Sequence, residues 1–546
     1  MMENIGNLVA KAKKVSDVIR DTHRFVRVIS HYDADGITSG AIMTKALVRE
    51  GKDFQLSIIK QISAEFIQEL AKECEKTNPG LIIFLDLGSG SLDDIQKFLM
   101  GEGRKIIIAD HHQPQGDLVS ENLFHINPLN FSITENLSGA GVSYLVARAL
   151  NHENKDLSEL AIIGAIGDSQ MGSIGSNWGL LGVNKEILLD AVNTGKIKAM
   201  KGLRLWGRYT RPIHKALEYS VDPWIPGISG SESGAVQFLQ EMKISIKKED
   251  GGWRTLSDLS EEEQQKLASG IITERIRTNT ENPDWIFGDV YELLEKPGYK
   301  DANEFATILN ATGKTKNEHL GIALCLNDEA AVSSVKSILS EYRKEIGKAV
   351  GWVRENKEAV RNTGKVCYIF GGSNISEYVM SNVASILHKS DMLPNNQDVP
   401  VFAFVNTEDG KIKVSARVSD ELVGKGVNLQ EIVSQAAGVV GGEGGGHTGA
   451  AGATIPPDAI QGFMAEVESK LGTDINIKPN VDTGKNSGVE YGKRSEKTKR
   501  EAGREEGPEE TGSERSEREE SGKEGAKEGE GRKDVERKGL VRYFSS

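Results

Sequence analysis

Four short segments rich in acid and histidine follow apolar runs in the first third of the chain. They are His31-Tyr32-Asp33-Ala34-Asp35-Gly36 after FVRVIS, Asp86 after LIIFL, Asp110-His111-His112 after KIIIA, and Asp168 after AIIGAIG. Carboxylates and imidazoles are costly to bury unpaired. Mg²⁺ and Mn²⁺ favour the oxygen ligands that carboxylates supply, and Mn²⁺ also tolerates imidazole. The segments therefore predict a site for divalent cations.

Each segment also has a simpler explanation when it is taken alone. An Asp-rich turn often caps a helix, and a single acid after a strand is often a turn former. Asp110-His111-His112 fits this explanation poorly, because it concentrates ligand types at the end of a buried strand. Two cations about 3.5–4 Å apart need several ligands, including a bridging carboxylate. The four segments together could supply them.

The elements that position these residues follow from the apolar pattern. Short apolar runs alternate with helical stretches from about Phe25 to Asp168, which is typical of a parallel sheet with helices on both faces. The carboxyl ends of the strands hold the site in such sheets. We therefore expect all four segments, Asp168 included, to lie at strand ends of one sheet.

The chain as a whole is predicted to be an α/β protein of three parts with a tail. A parallel-sheet domain covers 1–195, a mostly helical insertion 196–300, and a second α/β domain 301–475, with a glycine-rich loop in VVGGEGGGHTGAAGATI. Residues 476–546 are rich in Glu, Lys, Arg, Gly and Ser, so they cannot bury enough apolar surface to offset their ordering entropy. We predict a disordered charged tail that ends in an apolar peptide.

Composition narrows the class of protein further. The net charge of −13 over 546 residues counts against a surface that is basic throughout, although a local basic channel is compatible with it. Cys74, Cys325 and Cys367 lie far apart and predict neither a zinc ribbon nor a disulfide framework. No apolar run reaches the ~18 residues of a membrane helix, and the N-terminus lacks an apolar signal core. We expect a cytoplasmic protein without a membrane partner.

The motifs resemble those of a known family. HYDADG, LDLG, ADHH and GAIGDS resemble, in order, the four motifs of the DHH phosphoesterase superfamily, and GGGHTGAAGA resembles the signature of its companion DHHA1 domain. The resemblance covers about Phe25 to Pro456 and is closest to archaeal RecJ-like single-strand-specific exonucleases, including the GINS-associated nuclease type. It implies hydrolysis of phosphodiester bonds in single-stranded DNA or RNA, with two Mn²⁺ or Mg²⁺ ions, in DNA replication or repair.

The resemblance also implies roles for the residues of the first domain. The metal ligands would be His31, Asp33, Asp35, Asp86, His111 and Asp168, with Asp86 as the bridge. Asp110 would be a further ligand or the partner that orients a histidine, and His112 would contact the scissile phosphate. A metal-bridged hydroxide would attack the phosphorus.

Substrate-binding residues are implied in the same way. They are Arg417, Gly445, Gly446 and His447 on the second domain, and Ser138 and Gly139 beside the first-domain site. Each has a simpler interpretation. Arg417 could be an ordinary arginine on a strand face, the glycine-rich segment a flexible linker, and Ser138-Gly139 the start of a helix. Thr312-Gly313-Lys314-Thr315 ends like a nucleotide-binding motif, but Ile308 replaces its first glycine, so NTP hydrolysis is not indicated.

Two other functions stay open at this stage. A phosphodiesterase acting on short oligonucleotides, cyclic dinucleotides or polyphosphate would suit the acidic net charge, whereas chain length and the insertion favour a polymer. A replisome scaffold bound to the GINS complex would tolerate lost ligands, yet every ligand position is filled. The insertion, with Arg204, Trp206, Arg208 and Arg211, could guide a strand, dock a partner or simply carry surface arginines.

The last residues carry a separate hypothesis. Leu540, Tyr543 and Phe544 have the spacing of a peptide that binds a sliding clamp, although Arg537 stands where such peptides usually have glutamine. A chance apolar end is the alternative.

Overall fold

The computed structural model describes residues 2–474, apart from positions 102, 117–119, 134–136, 175–176, 221–222, 279, 281, 297, 390–392 and 394–398. The predicted tail, with Leu540, Tyr543 and Phe544, lies outside the described residues. In the part of the chain that is described, no helix combines the length and the apolar character needed to cross a bilayer.

The first sheet has five parallel strands in the order β2-β1-β3-β4-β5. They are β1 (Val26–His31), β2 (Phe54–Ile59), β3 (Leu81–Leu85), β4 (Lys105–Ala109) and β5 (Leu123–Ile126). The first four come from the apolar runs, and β3 is buried along its whole length. This burial is expected of a parallel strand that helices cover on both faces.

Seven helices surround this sheet. They are α1 (Met2–Arg20), α2 (Ala34–Arg49), α3 (Ala64–Thr77), α4 (Leu92–Leu99), α5 (Gly139–Leu150), α6 (Ser158–Gly167) and α7 (Gly182–Asn193). Alternate residues of β3 face opposite ways: Ile82 and Phe84 pack with α3 and α4, and Leu81 and Ile83 pack with α1, α2 and α5. The α/β prediction for this region is confirmed.

The expected position of Asp168 at a strand end is wrong. AIIGAIG lies in α6, which is buried almost throughout and packs against α2 and α5. Asp168 is the first residue after this helix. A short apolar run does not distinguish a strand from a buried helix, because both faces of either are covered.

The insertion is mostly helical, as predicted, and has a core of its own that includes Leu205, Ile213 and Leu256. Its helices are α8 (Ile213–Glu218), α9 (Glu232–Glu241) and α10 (Glu261–Arg277), which begins at a capping box of Ser260 and Glu263. Two antiparallel pairs precede and frame it, β6 (Met171–Ile174) with β7 (Asn177–Leu180) and β8 (Ile197–Leu203) with β9 (Phe287–Leu293). These four strands were not predicted.

The third region begins with three helices, α11 (Ala302–Lys314), α12 (Glu318–Cys325) and α13 (Glu329–Glu355). A six-stranded mixed sheet follows, in the order β10-β11-β12-β13-β15-β14. Its strands are β10 (Val360–Asn362), β11 (Cys367–Gly372), β12 (Val401–Asn406), β13 (Ile412–Arg417), β14 (Glu443–His447) and β15 (Ala450–Ile455). Its helices are α14 (Met380–Lys389), α15 (Asp420–Gly424), α16 (Leu429–Val439) and α17 (Ile460–Asp474).

The glycine-rich segment forms a hairpin, so the predicted loop is wrong. Gly444, Gly445 and Gly446 lie on the edge strand β14 and pair with β15. Glycine has a low strand propensity, which made a loop the natural expectation. Pairing with β15 and a hydrogen bond of 2.9 Å from Ser434 Oγ on α16 to the Gly444 carbonyl hold the strand.

One apolar core joins the two sheets. It contains the helices over one face of the first sheet, residues of α11, α12 and α13, and one face of β11 and β12, including Ile369 and Val401. The helices α11–α13 therefore fix the second sheet relative to the first, and the sites on the two can be described together.

Candidate metal centre

Three of the four predicted segments meet at the carboxyl end of the first sheet. His31 is the last residue of β1, Asp86 follows β3, and Asp110-His111-His112 follows β4. These three strands are neighbours and run in the same direction, so their ends come together.

Helix ends bring the remaining carboxylates to the same place. Asp33 caps α2, with its Oδ1 accepting a hydrogen bond of 3.0 Å from the Gly36 N–H, and Asp35 lies in the first turn of that helix. Asp168 follows α6. Asp33 is thus a helix cap, as the simpler explanation proposed. Its other oxygen, Oδ2, lies 3.1 Å from His31 Nδ1, so the same residue also belongs to the cluster.

Asp86 and His111 lie at the middle of the cluster. Asp86 Oδ2 is 3.4 Å from His31 Nδ1, and Asp86 Oδ1 is 3.3 Å from His111 Nε2. His111 Nε2 is also 3.6 Å from Asp168 Oδ2 and 3.7 Å from Asp35 Oδ2. Three overlapping groups could each hold an ion: His31, Asp33 and Asp86; Asp86, His111 and His112; and Asp35, His111 and Asp168.

Several ligand atoms in this cluster are buried and make no hydrogen bond to the described residues. They are His31 Nδ1, both carboxylate oxygens of Asp86, and His111 Nε2. The Asp86 side chain is only 1% exposed. An unsatisfied buried polar group costs about 1–3 kcal/mol, and more if it is charged. The donor set and these atoms therefore fit bound divalent cations.

The backbone of Asp86 is strained. Its φ is 59°, in the left-handed region that residues other than glycine rarely adopt. The conformation costs about 1–3 kcal/mol, and it is fixed by a 2.9 Å hydrogen bond from the Asp86 N–H to the Ala109 carbonyl. Strain of this kind is often found at functional sites.

The N-terminus of α5 holds Asp35. The N–H groups of Gly139 and Ala140 donate to its two oxygens at 2.7 and 3.0 Å, and Ser138 caps the helix. A Cβ on Gly139 would lie 2.5 Å from Asp86 Oδ1, so only glycine fits there. Of the two readings left open for Ser138 and Gly139, the structure shows the helix start, with the polar groups of both used inside the protein.

Asp110 orients the histidines that follow it. Its Oδ2 accepts from the Ser89 N–H at 2.9 Å, and its Oδ1 accepts from the His111 N–H at 2.7 Å and lies 2.8 Å from His112 Nδ1. Because both oxygens have protein partners, this arrangement favours the orienting role over that of a ligand. His112 keeps Nε2 for other contacts, and its side chain is 42% exposed.

Negative charge is in excess at the cluster. Burial, together with the carboxylates of Asp86 and Asp168, raises the pKa of Asp35 well above its usual value. Burial alone would lower the pKa of His111, but the carboxylates of Asp168 and Asp86 raise it well above the usual value. Both shifts show crowded carboxylates, whose repulsion a divalent cation would relieve.

The second sheet contributes His447, at the end of β14. His447 Nε2 lies 3.5 Å from Asp168 Oδ1, and its ring centre is 6.3 Å from that of His112. The His447 side chain is 58% exposed. Two accessible imidazoles, one from each sheet, thus face each other, and we call the space between them the cleft. Gly445 and Gly446 precede His447 on the edge strand.

Three cations lie close to one another beside the metal cluster, and we call Lys314, Lys413 and Arg417 the cation pocket. Burial and the charges of Lys413 and Arg417 lower the pKa of Lys314 to about 7, and burial and Lys60 lower the pKa of Lys413 to about 8. Burial lowers the pKa of Arg417 to about 10. Asp33 is the acid that acts on Lys314, which places the pocket beside the metal cluster.

Hydrogen bonds to α14 and to the residues just before it hold the side chains of this pocket in place. Arg417 Nε donates to Ser385 Oγ at 2.7 Å and Arg417 Nη2 to the Ser381 carbonyl at 3.2 Å, both on α14. Lys314 donates to Asn382 Oδ1 on the same helix. Lys413 donates to the Glu377 carbonyl at 2.8 Å.

Two members of this pocket, Lys314 and Lys413, were not predicted from the sequence. Lys413 could have been found, because residues 413, 415 and 417 of a strand share one face. No local pattern indicated Lys314, because only tertiary packing brings it to Asp33. Lys314 is the last residue of α11, whereas the lysine of a nucleotide-binding motif stands at the start of a helix, so the dismissal of that motif was correct. Gln170, which donates to Asp168 Oδ2 at 2.8 Å, was also missed although it lies two residues away in the same motif.

Three family models match the chain. They are the DHH family, N-terminal domain, over residues 25–167, the DHH-CID domain over 205–284, and the DHHA1 domain over 363–473. The matches fall within the ranges 1–195, 196–300 and 301–475, whose boundaries stay predictions.

Two relatives extend this comparison. The chain is 33% identical to an uncharacterized protein of Methanocaldococcus jannaschii over 479 residues, which is 87% of this chain and 100% of that protein. It is 26% identical to the single-stranded-DNA-specific exonuclease RecJ of Thermus thermophilus over 216 residues. That match covers 38% of this chain but only 30% of the length of RecJ.

Solved structures share the fold. RecJ in complex with Mn²⁺ from Thermus thermophilus superposes with a TM-score of 0.51 at 18% identity, over 85% of this chain and 54% of that one. CDC45 from Entamoeba histolytica superposes with a TM-score of 0.54 at 13% identity, over 86% of this chain and 98% of that one.

Proposed function

Since this chain belongs to the DHH family, as a RecJ-like phosphoesterase with a DHHA1 domain, we propose that it removes nucleotides from an end of single-stranded DNA or RNA. The observation that carries the proposal is the cleft itself. The acidic cluster around Asp86 lies on one side, and His447 and the cation pocket lie on the other. A phosphodiester bond is the group that suits both sides.

Two divalent cations, Mn²⁺ or Mg²⁺, would be held by this cluster. We assign His31, Asp33 and Asp86 to one ion and Asp35, His111 and Asp168 to the other, with Asp86 between them. Bound there, the ions would polarise the phosphate and lower the pKa of the attacking water. The RecJ structure that shares this fold contains Mn²⁺, which supports the choice of metal.

The protein side chains would position the substrate. His112, oriented by Asp110, presents Nε2 to the cleft opposite His447, so the two can donate to the oxygens of the scissile phosphate. The backbone of Gly445 and Gly446 allows close approach of that phosphate. The cation pocket, with Arg417, would hold the neighbouring phosphate of the strand.

The finer parts of this function rest on the resemblance alone. They are a role in DNA replication or repair, docking to the GINS complex, and binding of a sliding clamp through Leu540, Tyr543 and Phe544. A phosphodiesterase of short oligonucleotides or cyclic dinucleotides would use the same cleft, so substrate length must be tested directly.

The test is product analysis on single strands of DNA and RNA labelled at the 5′ or the 3′ end, with Mn²⁺ or Mg²⁺. We expect release of mononucleotides from one end, lost on chelation with EDTA and in Asp86→Asn. Asp409→Asn, which changes an exposed aspartate of the loop before β13, serves as the matched control. Metal-independent cleavage, or full activity of Asp86→Asn, would refute the proposal.

A further inference from the structure

Four side chains of the insertion and of α13 form a stack in which cations and aromatic rings alternate. The Cζ atom of Arg343 lies 4.5 Å from the centre of the Trp206 ring. Arg211 Cζ lies 4.1 Å from the same centre and 4.6 Å from that of Tyr219. We call Trp206, Arg211, Tyr219 and Arg343 the cation–π stack.

In the part of the chain that the structure describes, neither arginine of the stack has an acidic partner. Among the described residues, no carboxylate lies within 4.0 Å of either guanidinium, and neither donates a hydrogen bond to the protein. Burial and the charge of Arg343 lower the pKa of Arg211 to about 10. The acid that acts on both is Glu304, but burial and Asp301 raise the pKa of Glu304 to about 7, so its charge is incomplete. Glu218 also acts on Arg211, but it is paired with Lys215 at 2.8 Å. Two like charges close together favour a bound anion.

The position of Arg211 is built into the backbone. Gly207 has a φ of 88°, and a Cβ at this residue would lie 2.7 Å from both Cγ and Cδ of Arg211. The stem of Arg211 therefore rests directly on Gly207, and any larger residue would move the guanidinium away from the Trp206 ring. This close contact with Gly207 restricts the side chain of Arg211 more than an exposed arginine would be restricted.

The stack is connected to the cation pocket through α13. Arg343 follows Tyr342, whose hydroxyl lies 3.3 Å from Asn382 Oδ1. That same oxygen accepts the hydrogen bond of Lys314 in the cation pocket. Neighbouring residues of α13 thus link the two clusters, because Tyr342 contacts the residue that binds Lys314 and Arg343 belongs to the stack.

We propose that the cation–π stack is a second binding site for the single strand, at a distance from the cleaved bond. Arg211 and Arg343 would each bind a backbone phosphate, because guanidinium groups suit phosphate oxygens. A base would lie on the ring of Tyr219, which is 52% exposed. Base stacking together with cationic contacts is typical of proteins that hold single strands. The inference rests on the proposed function and adds a preference for substrates long enough to reach the stack.

The test is equilibrium binding of a fluorescent single strand of about twenty nucleotides to the full chain in EDTA, where cleavage does not occur. Replacing both arginines, Arg211→Gln with Arg343→Gln, is expected to weaken binding about tenfold or more. It should also reduce the slope of log affinity against log salt by about 1.4, or ~0.7 for each lost phosphate contact. Tyr219→Ala should weaken binding about tenfold, and Tyr219→Phe should restore it.

The matched control is Arg277→Gln in α10, an arginine of the same insertion that is 74% exposed and paired with Glu274. It should leave both affinity and salt slope unchanged. Unchanged values in the double arginine variant would overturn the proposal. So would a variant that keeps its affinity for the strand but loses affinity for a polyglutamate peptide, since the stack would then bind acidic protein.

Cleavage kinetics separate this inference from the proposed function. A dinucleotide would fill only the cleft, so the double variant should keep the wild-type kcat/KM on it and lose kcat/KM on the longer strand. If the wild-type chain cleaves neither substrate while the double variant binds the strand more weakly, the proposed function fails and the inference stands. Equal losses on both substrates would contradict a site away from the cleaved bond.

Discussion

The two sides of the cleft carry opposite charges and are built in different ways. The acidic side takes its residues from the ends of strands of one parallel sheet, such as Asp86 after β3, and from helix ends, such as Asp33 at the start of α2. The cationic side takes Lys314 from α11 and Lys413 and Arg417 from β13, and α14 holds them together. The first side depends on local chain geometry, and the second depends on how two sheets are joined.

This difference predicts different kinetic effects. The acidic side would hold the ions that carry out the chemistry, so changes there should act on kcat. The cationic side would hold a phosphate that does not react, so changes there should act on KM.

Replacing Asp86 by asparagine should have the largest effect. The change keeps the volume of the side chain but removes a carboxylate that belongs to two of the three candidate ligand groups. We expect kcat to fall by roughly three orders of magnitude or more, because both ions would be lost or displaced. Single-turnover cleavage with saturating Mn²⁺ measures it. If the affinity for the strand fell while kcat stayed unchanged, Asp86 would bind substrate and would not take part in the chemistry.

Gly139→Ala should come next. The added Cβ would lie 2.5 Å from Asp86 Oδ1 and press on the N–H group that holds Asp35. Overpacking of this kind costs about 1–3 kcal/mol of folding free energy, and loss of support for a ligand reduces activity about 10–100-fold. Denaturant unfolding and steady-state cleavage measure the two effects. Gly347→Ala is the control: Gly347 lies within α13 with open space around it, so this variant should keep its cleavage activity and gain up to about 1 kcal/mol in free energy of unfolding, because alanine has the higher helix propensity.

Lys314→Gln should act on the other side of the cleft. Loss of one cation from the pocket is expected to raise KM about tenfold while kcat changes little, since the phosphate held there does not react. Lys316→Gln is the matched control, because Lys316 is two residues away and its side chain is 61% exposed. An equal loss of kcat in Lys314→Gln would show that the pocket belongs to the chemistry.

The pH dependence of KM should show the smallest effect. Lys314 and Lys413, with pKa values of about 7 and 8, are charged below these values and neutral above them. The pocket should therefore bind phosphate best below pH 7, and KM should rise severalfold as the pH increases through 7 and 8. In Lys314→Arg the charge persists, so the rise should be smaller. A KM that is flat across this window in the wild-type chain would contradict the account.

The sequence predicted the acidic side well because its residues are defined by their neighbours in the chain. An apolar run followed by Asp or His indicates a strand end, and this held for His31, Asp86 and Asp110. It was wrong for Asp168 because AIIGAIG is apolar on every face, which suits a buried helix and a buried strand equally.

The cationic side was predicted only in part. Arg417 and His447 were found through the resemblance of their motifs, whereas Lys314 was set aside with a misleading motif. Its position beside Asp33 depends on α11 packing against α2 and α6, which no local pattern encodes. The glycine-rich hairpin was missed for a related reason, since pairing with β15 overrides the weak strand propensity of glycine.

The most direct test of the metal centre is anomalous scattering from Mn²⁺ in crystals of the full chain. We predict two Mn²⁺ peaks that share Asp86 as a ligand, one beside His31 and Asp33 and the other beside Asp35, His111 and Asp168. Both peaks should weaken or vanish in Asp86→Asn. A single ion that does not contact Asp86, or two peaks unchanged in that variant, would refute the assigned metal centre.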